Sequence, residues 1–86
     1  MKINIEKVCE LYGKDILELI KSNIEKVMNN INYLKVKKLE NVEEIFERNC
    51  LIFLQDENVF AHKFDYLYKK YGRELDDNIE LWEEIQ

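Results

Sequence analysis

Proline is missing from this chain, glycine occurs only at Gly13 and Gly72, and histidine only at His62. Without proline no helix is forced to kink or stop, so breaks must come from glycine or from polar side chains that compete with the backbone. The two cysteines, Cys9 and Cys50, are too few for a disulfide framework and have no Cys or His neighbour at metal-ligand spacing. Both read as reduced core residues. No apolar run approaches the roughly 20 residues that span a bilayer, and the N-terminus lacks the apolar segment of a secretory signal. A cytoplasmic protein without a membrane anchor is therefore expected. A lone histidine with no serine or cysteine partner nearby supplies no triad, so His62 should face solvent from a helix.

What is present is helical. With 47% hydrophobic and 36% charged residues, the 86-residue chain has the composition of one globular all-α domain, residues 1–86. A domain this small buries only about 60% of its unfolded surface, so its stability should be modest or supplemented by a partner.

Most of the expected core lies between Asn41 and Tyr71. Asn41 with Glu44 has capping-box spacing, which starts a helix at about Val42. Val42, Ile45, Phe46, Cys50, Phe53 and Leu54 then form one apolar stripe that Leu51 and Ile52 widen. A buried strand over Cys50 to Leu54 is the alternative, because period alone does not separate the two in so short a run. Gln55 to Asn58 is a polar interruption in which Asp56 or Asn58 can cap a second helix. That helix carries Phe60, Phe64, Leu67, Tyr68 and Tyr71 on one face, and Gly72 ends it.

Upstream, Asn4 is the expected cap of a first helix stapled by Ile3 and Val8, with Ile5, Val8, Cys9 and Tyr12 buried and Gly13 as its stop. Asp15 and Glu18 form the next capping box. Residues 16–34 then read either as one helix with the stripe Leu17, Ile20, Ile24, Val27, Met28, Ile31 and Leu34, or as two helices parted at Ser22. Continuity is the expectation, since no glycine or proline enforces a break, although Asn29, Asn30 and Asn32 weaken the middle. Lys35 to Glu40 is a basic connector. After Gly72, the polar run Arg73 to Asn78 leads to a last short helix capped by Asp77 and Glu80, and Trp82 anchors it to the domain.

The chain also repeats itself. Asn32-Tyr33-Leu34 returns as Asp65-Tyr66-Leu67 at an offset of about 33, and Asp15-Ile16, Leu19-Ile20 and Asn23 return as Asn41-Val42, Ile45-Phe46 and Asn49 at about 26. A partial third copy starts at Tyr71-Gly72, an echo of Tyr12-Gly13. The expected architecture is thus a small bundle or short solenoid of four to five helices with about two helix-pair repeats. Asn32-Tyr33-Leu34, Leu39, Val42-Glu43-Glu44-Ile45, Arg48, Leu51, Phe53, Phe60, Lys63, Leu67 and Tyr71-Gly72 together resemble the helical repeat of the mitochondrial transcription termination factor family over residues 31–72. The resemblance implies stacked helix pairs and, by analogy, nucleic-acid association. Two backbone markers of that family are absent: Cys50 stands in place of a proline, and no glycine occurs near Glu40. The family's many repeats and basic concave surface also contrast with about two repeats and a net charge of −5.

Charge falls in blocks: eight bases and five acids in residues 1–39, one and six in 40–57, four and one in 58–73, none and six in 74–86. Lys35, Lys37 and Lys38 occupy nearly the same repeat positions as Lys69, Lys70 and Arg73. In parallel units these six would form one phosphate-contacting edge; alternatively they solvate helix ends and cap carbonyls there. The paired carboxylates Glu43-Glu44, Asp76-Asp77 and Glu83-Glu84 follow no metal-loop spacing and need no metal as a solvated or basic-partner-facing surface. The acidic residues 74–86 could lie across the basic edge or bind a basic partner. These features point to a non-enzymatic, cofactor-free interaction module for a protein partner, with a nucleic-acid-associated module as the alternative. A fragment this short can also cover its ends by pairing with a second copy.

Overall fold

The computed structural model describes residues 5–85, and among these the chain is all-α with no strand. The order is α1 (Ile5–Tyr12), α2 (Lys14–Ser22), α3 (Ile24–Val36), α4 (Val42–Arg48), a 3-10 helix (Cys50–Leu54), α5 (Glu57–Tyr71), α6 (Glu74–Asp77) and a terminal 3-10 helix (Ile79–Ile85). The pieces are shorter and more numerous than four or five. The Asn4 cap, the Ile3–Val8 staple and the burial of Ile5, Val8 and Cys9 lie outside the residues and side chains described. No described helix is long and apolar enough to cross a membrane.

Asparagine makes the breaks. Residues 16–34 are not continuous: Asn23 (φ −121°) leaves the helix and its Nδ2 donates to Leu19 O at 2.9 Å, so the joint is at Asn23 rather than Ser22. Asn49 (φ −136°) does the same within the expected helix from Val42, its Nδ2 donating to Ile45 O at 3.3 Å. At Asn23 the amide side chain replaces the backbone donor at Leu19 O, the Asn23 N–H turning to Ile20 O at 3.1 Å; at Asn49 side chain and backbone share Ile45 O, the backbone N–H at 3.0 Å. The Cys50–Leu54 run is neither strand nor continued α-helix but a tight 3-10 turn, which turns Ile52 and Phe53 into the core and leaves Leu51 half exposed.

Ile20, Val27, Ile31, Leu34, Ile45, Phe46, Phe53, Phe60, Phe64, Leu67, Leu75 and Trp82 are fully buried in one cluster. Ile24, displaced by the break at Asn23, is 42% exposed instead of continuing the stripe. Phe46, Phe53 and Phe60 follow one another with centroids 5.2 and 5.0 Å apart. Buried Asn30 is cohesive where weakening was expected: its Nδ2 donates to Phe53 O and Gln55 O, both at 3.0 Å, at the open end of the 3-10 turn.

Near the start of α5, Asn29 Nδ2 donates to Glu57 Oε1 at 2.7 Å. Further along, Tyr33 OH donates to Asp65 Oδ1 at 2.9 Å, and beyond both helices Arg73 Nη2 donates to Lys38 O at 3.4 Å. α3 and α5 therefore run side by side in the same direction.

Several caps differ from the sequence reading. Asp56 caps α5 by accepting from Asn58 N at 2.9 Å, as expected. Neither Asp15 nor Asn41 caps its helix, however; α2 starts directly after Gly13 (φ 90°). The head of α4 is satisfied from a distance. The Asp76 carboxylate, 5% exposed, accepts from Glu40 N at 2.9 Å with both oxygens and from Asn41 N at 2.7 Å, while Asn41 Nδ2 donates to Asp76 O at 2.7 Å. The stretch expected to be a polar lead is thus a docked turn of helix with Leu75 and Asp76 buried.

α3 ends in a Schellman closure: Leu39 N donates to Leu34 O at 3.3 Å and Lys38 N to Lys35 O at 2.9 Å. That closure needs a left-handed residue, and Lys38 supplies it at φ 66°. A side chain there costs about 1–2 kcal/mol, part of which glycine would return through its looser unfolded chain. Lys38→Gly is therefore expected to stabilise the domain by about 0.5–1 kcal/mol in urea unfolding. Asp76→Ala strands two amides and is expected to cost about 3 kcal/mol, lowering the thermal midpoint by on the order of 15 °C, with Asp76→Asn intermediate.

Candidate interaction surfaces

The six basic residues divide by what holds them. Parallel running of α3 and α5 brings their C-terminal ends together, and the Arg73–Lys38 bond joins the two groups. Arg73 Nη2 also lies 3.7 Å from Asp76 Oδ2. Lys37 Nζ sits 5.3 Å from the centre of the Tyr33 ring. Lys35 is half-buried, Lys38 and Lys69 are exposed, and Lys70 is taken by a carboxylate. Arg73 and Lys70 thus engage groups of the same chain, Arg73 reaching the carbonyl of Lys38 just beyond α3.

The partner of Lys70 is Glu84. Lys70 Nζ lies 3.3 Å from each Glu84 oxygen, and Tyr71 OH donates to Glu84 Oε1. The same ammonium stands 5.8 Å from the Tyr66 ring centre and 5.3 Å from that of Tyr71. Glu84 is presented by the terminal 3-10 helix, whose three residues per turn stack side chains at i and i+3. Ile79, Trp82 and Ile85 make one row, Glu80 and Glu83 a second, Leu81 and Glu84 a third. The first row enters the core: Trp82 is fully buried, stacks on Phe64 at 5.8 Å and donates its indole N–H to Leu75 O at 3.0 Å.

The second row forms a wall. Between it and α4 lies an open groove of about 480 Å³ whose lining includes Glu44, Asp77, Glu80 and Glu83, with Arg48 as its one base. All five side chains belong to exposed residues. Glu40, just ahead of α4, and Glu43 and Glu47 on it extend the negative surface, and Lys7 Nζ meets Glu47 at 3.3 Å.

A smaller open pocket, about 200 Å³, lies between the end of α1 and the first 3-10 turn, lined by Tyr12, Cys50, Leu51 and Ile52 among others. Cys50 is fully buried, and burial pushes its thiol up to about 11. At neutral pH it is a protonated, inert packing group. Burial likewise raises the Tyr12 phenol. His62 is exposed on α5. No cluster of His, Cys, Asp and Glu suited to a metal occurs among the described residues. No family model, curated protein or solved structure matches the chain.

Sequence reasoning missed Asp76 and the Tyr71–Glu84 pair. Asp76 reads as half of a solvated acidic pair because its amide partners lie 35 and 36 residues away, with no local signature. Only the hydrophobic Leu75 beside it hints at burial.

The Lys70–Glu84 contact has a defined pH window. The Tyr71 hydroxyl first, and then Lys70, hold the Glu84 carboxyl below its usual value; Glu84 raises both Lys70 and Tyr71. A lowered carboxyl stabilises above its unfolded value and loses that as pH falls through the folded one. A raised ammonium stabilises below its unfolded value and loses that as pH rises through the folded one. The raised Tyr71 phenol behaves as the ammonium does, and its unfolded value is the lower of the two, so the contact is complete between the unfolded Glu and Tyr values. In Tyr71→Phe the Glu84 titration, followed by carboxyl NMR, is expected to move up toward the ordinary Glu range. An unchanged midpoint would remove the hydroxyl as its main cause.

Proposed function

We propose that this chain is a non-enzymatic helical interaction module that holds a protein partner in the acidic groove between α4 and the terminal 3-10 helix. The observation that carries this is the pairing of a fixed wall with unscreened charge. Glu44, Asp77, Glu80 and Glu83 are exposed around one concavity with a single arginine, while buried Trp82 and clamped Asp76 hold the two sides in place. A rigid concave surface of one sign selects partners of the other sign and speeds their encounter. The fitting partner presents a lysine- or arginine-rich segment.

The architecture that goes with this reading is a run of related units, each a helix broken by asparagine. Asn23 and Asn49 have similar backbone angles and take the same kind of carbonyl, and Asn78 again separates a helix from a 3-10 segment. Leu34 and Leu67 are both fully buried in the same cluster. These features support two repeats and part of a third.

A second reading, a nucleic-acid-associated module like the transcription termination factor repeats, draws on the Arg73–Lys38 bond that brings Lys35, Lys37, Lys38, Lys69, Lys70 and Arg73 to one end of α3 and α5. One titration separates the two. A fluorescent peptide alternating lysine and alanine is expected to bind the protein at low salt, and Glu80→Gln with Glu83→Gln to weaken it by roughly tenfold, with screening by added salt. Equal binding by the double variant would refute the groove. A single-stranded oligonucleotide bound in preference to the peptide would favour the second reading.

A further inference from the structure

At the end of α5 two neighbouring side chains, Lys70 and Tyr71, hold the carboxylate of Glu84. Lys70 Nζ is placed between the Tyr66 and Tyr71 rings, and beside it the Tyr71 hydroxyl points to the same spot. A carboxylate sits there with both oxygens 3.3 Å from the ammonium and one accepting from the hydroxyl. This is how two neighbouring donors receive an anion, and the Glu84 carboxylate marks where its oxygens lie. The negative end of the α5 dipole opposes an anion here, so the attraction comes from side chains: Lys70, with Lys69 adjacent in sequence and Arg73 just beyond the helix.

We infer that Lys70 and Tyr71 form a binding notch for a phosphate-chain anion, and that Glu84 is its tethered competitor. A tethered group competes at an effective concentration on the order of millimolar, which a free carboxylate of equal charge does not overcome at ordinary concentrations. A phosphate chain brings more charge and several acceptor oxygens to the same donors. Displacing Glu84 need not unfold the terminal 3-10 helix, because its grip on the core comes from Trp82 and Ile85, a different row of side chains. The notch is distinct from the acidic groove: Glu83, the next residue back, faces the groove, while Glu84 faces α5.

The test is a titration of the full chain with tripolyphosphate, read on the backbone amide resonances of Lys70 and Tyr71, with acetate and orthophosphate as further arms. Glu84→Gln is expected to bind tripolyphosphate roughly fivefold tighter than the parent, the scale of one exposed ion pair. Glu25→Gln, which changes net charge equally at the opposite end of the α3–α5 pair, should bind like the parent. Adding Lys70→Gln to Glu84→Gln should abolish the gain, and acetate should not bind the parent. An unchanged Glu84→Gln, an equal gain in Glu25→Gln, or a gain that survives loss of Lys70 would each overturn the assignment. The Trp82 indole N–H resonance, bonded to Leu75 O, reports that every variant keeps the fold. Because the probe is an anion, these outcomes are independent of the basic-peptide titration of the groove.

Discussion

The backbone amides of Glu40 and Asn41 stand at the head of α4 without an acceptor in their own segment, and the Asp76 carboxylate takes both of them. Helix starts leave donors open, and these two, in part-buried bonds, are met by a carboxylate that is itself buried. Because the acceptor lies on α6, α4 is complete only when the chain beyond Gly72 has folded back. The return is reinforced by Asn41 Nδ2 on Asp76 O and Arg73 on Lys38 O. Everything later in the chain inherits its position from this closure. Leu75 enters the core beside Asp76, its carbonyl receives the Trp82 indole, and Trp82 sets the rotation of the terminal 3-10 helix.

A chain without proline bends here by another means. At Asn23 and Asn49 the amide side chain bonds to the carbonyl four residues back, and the backbone leaves helical geometry at the same residue. The two breaks have different consequences. At Asn23 the apolar stripe loses Ile24 to solvent, whereas after Asn49 the tighter 3-10 winding keeps Cys50, Ile52 and Phe53 inward. Asn30, which by propensity ought to loosen α3, instead bonds to two carbonyls at the end of that 3-10 turn. The same residue type therefore breaks the chain locally and cements it over distance, according to whether its amide finds a near or a remote carbonyl first.

This explains which parts of the fold are legible in the sequence. Gly13 and Gly72 end helices through positive φ, Asp56 caps through an amide two residues away, and the apolar spacing marks Ile45, Phe46, Phe60, Phe64 and Leu67 as buried. All of these depend on near neighbours or on period. Asp15 and Asn41 have the spacing of caps but make none, because spacing cannot show that Gly13 starts α2 or that Asp76 supplies the acceptor for α4. Lys38 in a left-handed turn is invisible for a related reason: its conformation is imposed by burial of Leu34 and Leu39 on either side of the closure. The engagement of Lys70 and Arg73 is not legible, since Glu84 and Asp76 reach them only through the folded-back end.

The terminal 3-10 helix links these levels. Its sequence, Ile-Glu-Leu-Trp-Glu-Glu-Ile, suits an α-helix, in which i and i+3 positions drift around the axis and charged and apolar rows overlap. Winding at three residues per turn instead keeps three rows apart, so Trp82 and Ile85 bury, Glu80 and Glu83 face the groove, and Glu84 faces Lys70. Relaxing the segment to an α-helix would rotate each residue by about 20° relative to the last, and the rows could not all be kept. Core packing at Trp82, the acidic wall and the Lys70 contact are consequently geometrically coupled. A displacement of one row must either leave the winding intact or disturb the other two.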